Sequence, residues 1–223
     1  MVKWLKEGDV MTVKAIIFDM DGVLFDTENF YYRRRELFLN SKGISIKHLP
    51  PAFFIGGNMK QAWRPILGSD YDKWDIEQLQ KEYTDYKSSH PLPYKNLIFS
   101  DVKDVLERLH QQEVKIALAS SSTKSDILLA LTETDILSYF EFVLSGEEFP
   151  ESKPNPEIYN EAARRLKIPK SDILIIEDSE KGIAAGVAAG IEVWAVKDRT
   201  FGLNQTAASR LVASLTQAVD DAF

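Results

Sequence analysis

The run Ala15-Ile16-Ile17-Phe18-Asp19-Met20-Asp21-Gly22 constrains this chain more than any other segment. Four apolar residues without polar alternation read as a strand covered on both faces, the pattern of a parallel sheet. Asp19 and Asp21 fall where that strand ends, and Gly22 permits a tight turn or a close backbone approach. In open α/β sheets the carboxyl ends of the strands border the crevice where ligands bind. Two neighbouring carboxylates there repel each other and lose hydration, so they require a cation or a shared proton. An isolated Asp-x-Asp-Gly would read as a solvated turn, but three further polar clusters follow this one downstream.

Apolar runs at residues 114–119, 142–144, 173–176 and 193–196 repeat the strand pattern, and 211–214 is expected to add a strand at the edge. Helical patterns at 102–112, 124–131, 156–166 and 181–189 separate them. This alternation predicts a doubly wound, Rossmann-like α/β fold with a parallel sheet. The stretch after the first strand breaks the rhythm: it has no buried-strand run and offers helices at 30–42, 59–66 and 76–89. It returns through Pro91-Leu92-Pro93, a stiff segment suited to a hinge. The expected division is a catalytic core formed by residues 11–27 and 94–223, with a helical cap domain at 28–93 acting as a lid.

Composition closes several alternatives. With no cysteine there can be no disulfide, thiolate metal site or cysteine nucleophile. The net charge of −7 argues against nucleic acid or an anionic membrane as partner. No stretch approaches the roughly 18 apolar residues that would suggest a membrane span. Met1 to Val10 lacks an apolar signal-peptide core, so a cytoplasmic protein is expected, either a monomer or a weak homo-oligomer. His48, His90 and His110 lie far from every cluster, which leaves a Ser-His-Asp arrangement without a base. No glycine-rich nucleotide loop is present.

Each expected strand end carries polar residues. Ser120, Ser121, Ser122 and Thr123 precede a helix, where hydroxyls beside free N–H groups make a phosphate site. Lys153, in Ser152-Lys153-Pro154, can place a cation in the crevice. Glu177-Asp178-Ser179 ends a second apolar strand, and two buried acids there again require a cation. Two acidic strand ends, a hydroxyl cluster and a lysine together suit a Mg²⁺ site and a phosphate site around one carboxylate nucleophile.

In order and placement these clusters resemble the four motifs of the haloacid dehalogenase superfamily. Asp19 to Glu28 matches the first, Ser120 the second, Lys153 the third and Glu177-Asp178 the fourth. The resemblance covers the chain after about Val13 and is closest to the helical-cap subgroup that includes β-phosphoglucomutase and related phosphatases. It implies Asp19 as the nucleophile that forms an aspartyl-phosphate, and Asp21 as acid and base. It implies Ser120 and Lys153 as the groups that neutralise the phosphoryl oxygens. The implied metal ligands are Asp19, the main-chain carbonyl of Asp21 and Asp178, with Glu177 a ligand or its supporting partner. Ser121, Ser122, Asn58 and Lys60 are expected to bind substrate. Asp21 disfavours dehalogenation, which needs no second aspartate.

A phosphatase acting on a small phosphorylated metabolite, such as a sugar phosphate, is therefore the expected function. A mutase similar to β-phosphoglucomutase is the alternative, but Tyr31 stands where such mutases carry His, and Met59 where they carry an Arg that grips the distal phosphate. A regulatory protein that binds phosphometabolites without turnover is an alternative of another class. Tyr31, Phe54 and Trp63 can either line a pocket or fill the cap's interior.

Overall fold

The computed structural model describes residues 13–223. The expectations for Met1 to Val10, and for a core beginning at residue 11, lie outside the described residues. In chain order the elements begin with β1 (Ala15–Phe18), α1 (Glu28–Ser41), α2 (Met59–Leu67) and α3 (Ile76–Ser89). A short α4 (Tyr94–Leu97) leads to α5 (Val102–Gln111), β2 (Lys115–Ser120), α6 (Lys124–Glu133) and β3 (Phe142–Ser145). Then follow α7 (Glu157–Leu166), β4 (Ile173–Glu177), α8 (Glu180–Ala188), β5 (Glu192–Val196), β6 (Arg210–Val212) and α9 (Leu215–Ala222).

The six strands form one all-parallel sheet in the order β3-β2-β1-β4-β5-β6. From β1 the chain winds outward through β2 and β3, then returns to lay β4 on the other side of β1. The direction of winding reverses around β1, and that is where such sheets open a binding crevice. Register then decides which residues meet. Phe18 pairs with Leu118 on one side and Ile176 on the other, which levels Asp19 with Ala119 and Glu177.

Alternate residues of β1 serve opposite faces. Ile16 and Phe18 join a core with α5, α6 and α9, while Ala15 and Ile17 join a second core beneath α7 and α8. Helices α1–α3 close around a third cluster built from Phe38, Leu39, Trp63, Leu79 and Tyr83. Trp63 is buried there, and its indole N–H donates to Gln80 Oε1 at 2.8 Å. Truncating such a ring to Ala typically costs about 3–5 kcal/mol.

The two connections to this helical segment run side by side: Asp26 N donates to Leu97 O at 2.8 Å, and Phe99 N to Leu24 O at 3.0 Å. Leu92, within the expected hinge, is buried.

The carboxyl-terminal segment differs from expectation. The edge strand is Arg210–Val212 rather than 211–214, because Ser214 turns to cap α9, accepting from Gln217 N at 3.1 Å. Helix α9 itself follows from the apolar face of Leu215, Ala218 and Val219, a spacing the sequence carries but the strand reading obscured. Among the described residues no helix is long and apolar enough to cross a membrane.

Candidate active site

Asp19 lies one residue past β1, and its backbone N–H donates to Ile176 O at 2.9 Å, which continues the ladder with β4. Its side chain is buried. Lys153, reaching in from the loop before α7, donates to Asp19 Oδ1 at 2.6 Å, to Glu177 Oε1 at 2.7 Å and to Ala119 O at 2.9 Å. All three ammonium protons thus have acceptors. Burial alone would drive Lys153 toward its neutral form, but Asp19 and Glu177 outweigh it and hold the charge.

Glu177 is fully buried and surrounded by donors. Its Oε1 accepts from Lys153 and from Tyr159 OH, the latter at 2.7 Å. Its Oε2 accepts from Asp178 N, Ser179 N and Ser179 Oγ at 3.0–3.1 Å. Burial pushes the Glu177 carboxyl up, but Lys153 and these donors hold it below the ordinary glutamate value. Asp178 is the opposite case: its Oδ1 is buried without any hydrogen-bond partner. Burial, with Glu177, Glu28, Asp19 and Asp21 nearby, raises its pKa well above the usual range.

Asp19, Glu177 and Asp178 each bring one oxygen within 4.8 Å of the others. An orphaned buried carboxylate oxygen beside a second carboxylate fits a hard divalent cation. Glu177, whose oxygens already have five donors, suits the supporting role rather than ligation.

Two glycines clear this ground. Gly22 adopts φ +80°, and a Cβ there would sit 2.0 Å from Asp178 Oδ2. A Cβ on Gly182 would sit 1.7 Å from Glu177 Oε1, so the first turn of α8 can accept the carboxylate only without a side chain.

Asp21 borders the cavity. Thr27 Oγ1 donates to its Oδ1 and Ser122 Oγ to its Oδ2, both at 2.6 Å. Burial raises its pKa, with Ser122 and Thr27 opposing. Ser122 in turn lies 3.4 Å from Tyr31 OH, which is 3.2 Å from Tyr94 OH.

The hydroxyl cluster is therefore divided among several tasks. Ser122 holds Asp21. Ser121 Oγ donates across to Gly56 O in the helical segment at 3.0 Å. The buried Ser120 accepts from Ser122 N at 3.0 Å, and Thr123 caps α6. Two of the expected substrate contacts, Ser121 and Ser122, thus have protein partners.

A cavity of about 220 Å³ lies between the strand ends and the helical segment. Asp19, Asp21, Ser120, Ser121, Ser122, Asn58 and Lys60 all border it, whereas Lys153, Glu177 and Asp178 do not. Asn58 caps α2, accepting from Gln61 N at 3.3 Å, and Lys60 is exposed. Of the three aromatics, Tyr31 and Phe54 line the cavity, and Trp63 belongs to the interior of the helical segment.

The sequence reading passed over Arg34 and Arg35, which also line the cavity and are buried. A signal was present: Arg34 falls four residues before Phe38 and Arg35 four before Leu39, on the apolar stripe of α1.

Fold and buried acidic cluster define an α/β protein whose buried charged and polar groups gather at the carboxyl ends of β1, β2 and β4. The family model for haloacid dehalogenase-like hydrolases matches residues 16–196, and the chain belongs to that family. Among curated relatives, the phosphoglycolate phosphatase of Aliivibrio fischeri is 30% identical over 86% of this chain and 86% of its own length. The phosphorylated carbohydrates phosphatase of Thermotoga maritima is 29% identical, covering 81% of this chain and 83% of the relative. Among solved structures, the β-phosphoglucomutase of Clostridium difficile superposes with a TM-score of 0.80, at 24% identity over 92% of each chain, a likeness of fold.

Proposed function

We propose that this hydrolase is a Mg²⁺-dependent phosphatase of small phosphorylated metabolites, with Asp19 as nucleophile and Asp21 as acid and base. The observation that carries the reading is the unpartnered Asp178 Oδ1 beside Asp19, whose own Oδ1 is fixed by Lys153. The names of the Thermotoga and Aliivibrio relatives support phosphate-ester hydrolysis over dehalogenation.

The chemistry follows from these contacts. Lys153 holds Asp19 Oδ1, which leaves Oδ2 to attack phosphorus. The O–P bond to Asp19 forms as the ester P–O bond breaks. Asp21, whose raised pKa favours the proton-bearing form, gives its proton to the leaving oxygen. It then takes a proton from the water that attacks the aspartyl-phosphate, releasing inorganic phosphate and restoring Asp19. Asp19, the carbonyl of Asp21 and Asp178 would hold the Mg²⁺, which supplies charge neutralisation for the phosphoryl oxygens. Lys153 and Ser120 add to it. The helical segment, residues 28–93, acts as the lid, and its closure over the cavity keeps stray water from the phosphoryl group.

The test is phosphate release from p-nitrophenyl phosphate and a panel of sugar phosphates, including both hexose 1-phosphate anomers, with and without Mg²⁺. Hydrolysis that requires Mg²⁺ and disappears in Asp19→Asn supports the reading. Isomerisation of a sugar phosphate without phosphate release would establish the mutase alternative instead. Binding without turnover would establish the regulatory one.

A further inference from the structure

Arg34 and Arg35 are 6% and 9% exposed, yet neither forms an ion pair among the described residues. Arg34 donates from Nη1 to His90 O at 3.0 Å, leaving Nε and Nη2 without partners. Arg35 donates from Nε to Met59 Sδ at 3.2 Å, leaving Nη1 without one. The guanidinium of Arg34 lies 5.2 Å from the centroid of Tyr31, and that of Arg35 4.5 Å from the centroid of Phe54. Backbone, sulfur and rings thus set where the two forks lie while three buried N–H-bearing nitrogens stay unmatched.

A guanidinium cannot shed its proton, so burial does not neutralise it as it would a lysine or a carboxylate. Buried charges are ordinarily paired, and two adjacent cations with no carboxylate in ion-pairing distance are doubly unfavourable; Glu28, on the same cavity, acts on Arg35 only from beyond that distance. Both arginines border the cavity that holds Asp19 and Asp21. Lys87, on the same wall, is already paired with Asp126 at 2.6 Å. In a chain of net charge −7, the cavity that holds the nucleophile is therefore also lined by two guanidinium groups without an ion-pair partner and with unmatched N–H groups.

We propose that Arg34 and Arg35 form an oxyanion subsite, so that the preferred substrate is a phosphate ester carrying a second anionic group. The inference rests on the phosphatase reading and adds the substrate class to it. The planar forks match a phosphate or a carboxylate equally, since both present paired oxygens to adjacent N–H groups. One end of the substrate meets Asp19, and the other replaces the missing counter-ion of the arginines.

Four probes test this: fructose 1,6-bisphosphate against fructose 6-phosphate for a second phosphate, and 2-phosphoglycolate against p-nitrophenyl phosphate for a carboxylate. The wild-type protein is expected to favour the doubly anionic member of at least one pair by tenfold or more in kcat/KM. Arg34→Gln and Arg35→Gln should each lower that ratio at least tenfold, chiefly through KM, and Arg35→Lys should recover only part of it. Ratios near one in the wild type, or ratios the variants leave unchanged, overturn the subsite. The wild-type ratio decides the matter if a variant fails to fold.

Calorimetric titration of fructose 1,6-bisphosphate and 2-phosphoglycolate into Asp19→Asn protein, with and without Arg35→Gln, reads the subsite without turnover. At least tenfold weaker binding of one of them in the double variant, from a wild-type chain that hydrolyses no ester, would sink the phosphatase reading and leave the subsite standing. Hydrolysis without discrimination would do the reverse.

Discussion

Lys153 Nζ sits 2.6 Å from Asp19 Oδ1 and 2.7 Å from Glu177 Oε1, joining the ends of β1 and β4 from a loop 134 residues beyond Asp19. One cation is shared by two buried carboxyl groups, and its removal leaves the ionised Glu177 without its counter-charge and Asp19 without its donor. Lys153→Met should destabilise the protein by about 3–5 kcal/mol, the range for breaking a buried pair from one side. Tyr159→Phe, which removes one neutral donor to Glu177, should cost only about 1–3 kcal/mol. Urea denaturation of both variants checks the order. A Lys153→Met protein as stable as wild type would show that the carboxylates find protons or other partners at little cost.

Asp19 separates the chemistry from the scaffold. Asp19→Asn keeps the shape of the side chain and an acceptor for Lys153, but removes the nucleophile and one anionic metal ligand. Turnover should fall by at least about a thousandfold, equivalent to roughly 4 kcal/mol of barrier. Asp21→Asn should also suppress turnover while keeping most of the Mg²⁺ affinity, since the proposed ligand there is a main-chain oxygen. Calorimetry showing metal affinity lost in Asp21→Asn would place its side chain on the ion.

The site's response to pH follows from Asp19. Burial, with Glu177 and Asp21 adding and Lys153 opposing, pushes its carboxyl up to about 8 in the metal-free protein. A raised folded-state pKa means the folded chain keeps a proton that the unfolded chain has lost above its own value near 4. Metal-free stability should therefore fall as pH rises from about 4 toward about 8. Mg²⁺ needs the carboxylate, so its affinity should rise over the same window, by up to about tenfold per pH unit, with a proton released on binding. Titrations in buffers of different ionisation enthalpy measure that proton. An affinity that stays flat between about pH 6 and pH 8 is the contrary outcome.

Gly22 tests the metal pocket by shape alone. Because its Cβ would fall 2.0 Å from Asp178 Oδ2 at φ +80°, Gly22→Ala must displace Asp178. Mg²⁺ affinity should drop at least tenfold, accompanied by a stability loss of about 1–2 kcal/mol for the left-handed backbone. Unaltered Mg²⁺ binding in the folded variant would exclude Asp178 from the ligand set.

How much of this was legible depends on where each signal lives. The strands and their polar ends could be read because β1, β2 and β4 are covered on both faces, so each is a continuous apolar run that stops abruptly at polar residues. Gly22 carried the hint of close approach, but only the three-dimensional position of Asp178 reveals what it makes room for, and the role of Gly182 beside Glu177 emerges from the structure alone. Arg34 and Arg35 drew no notice in the sequence, because a charged side chain on a helix normally faces water. Their spacing to Phe38 and Leu39 hints at burial, but what they pack against, residues 54–59 and 90, lies far along the chain from α1 and no local pattern encodes it. The separate duties of Ser120, Ser121 and Ser122 were likewise hidden, since four adjacent hydroxyls look alike until each has a partner.

The loop at residues 56–60 was expected to set substrate preference through Asn58 and Lys60, but the two side chains have different surroundings. Asn58 accepts from Gln61 N at the start of α2, so Asn58→Ala should act first on stability, at about 1 kcal/mol. Its effect on kcat/KM should then be similar for every ester. Lys60 lines the cavity, is exposed and makes no side-chain hydrogen bond among the described residues, so nothing in the fold depends on its ammonium. Lys60→Ala should leave the melting temperature within about 1–2 °C and change the ranking of substrates, most for those with a second anion. Kinetics on four phosphate esters, paired with thermal melts, separate the two residues. A uniform loss across esters in Lys60→Ala would show that this lysine acts through the general field of the cavity and not by contact with the variable part of the substrate.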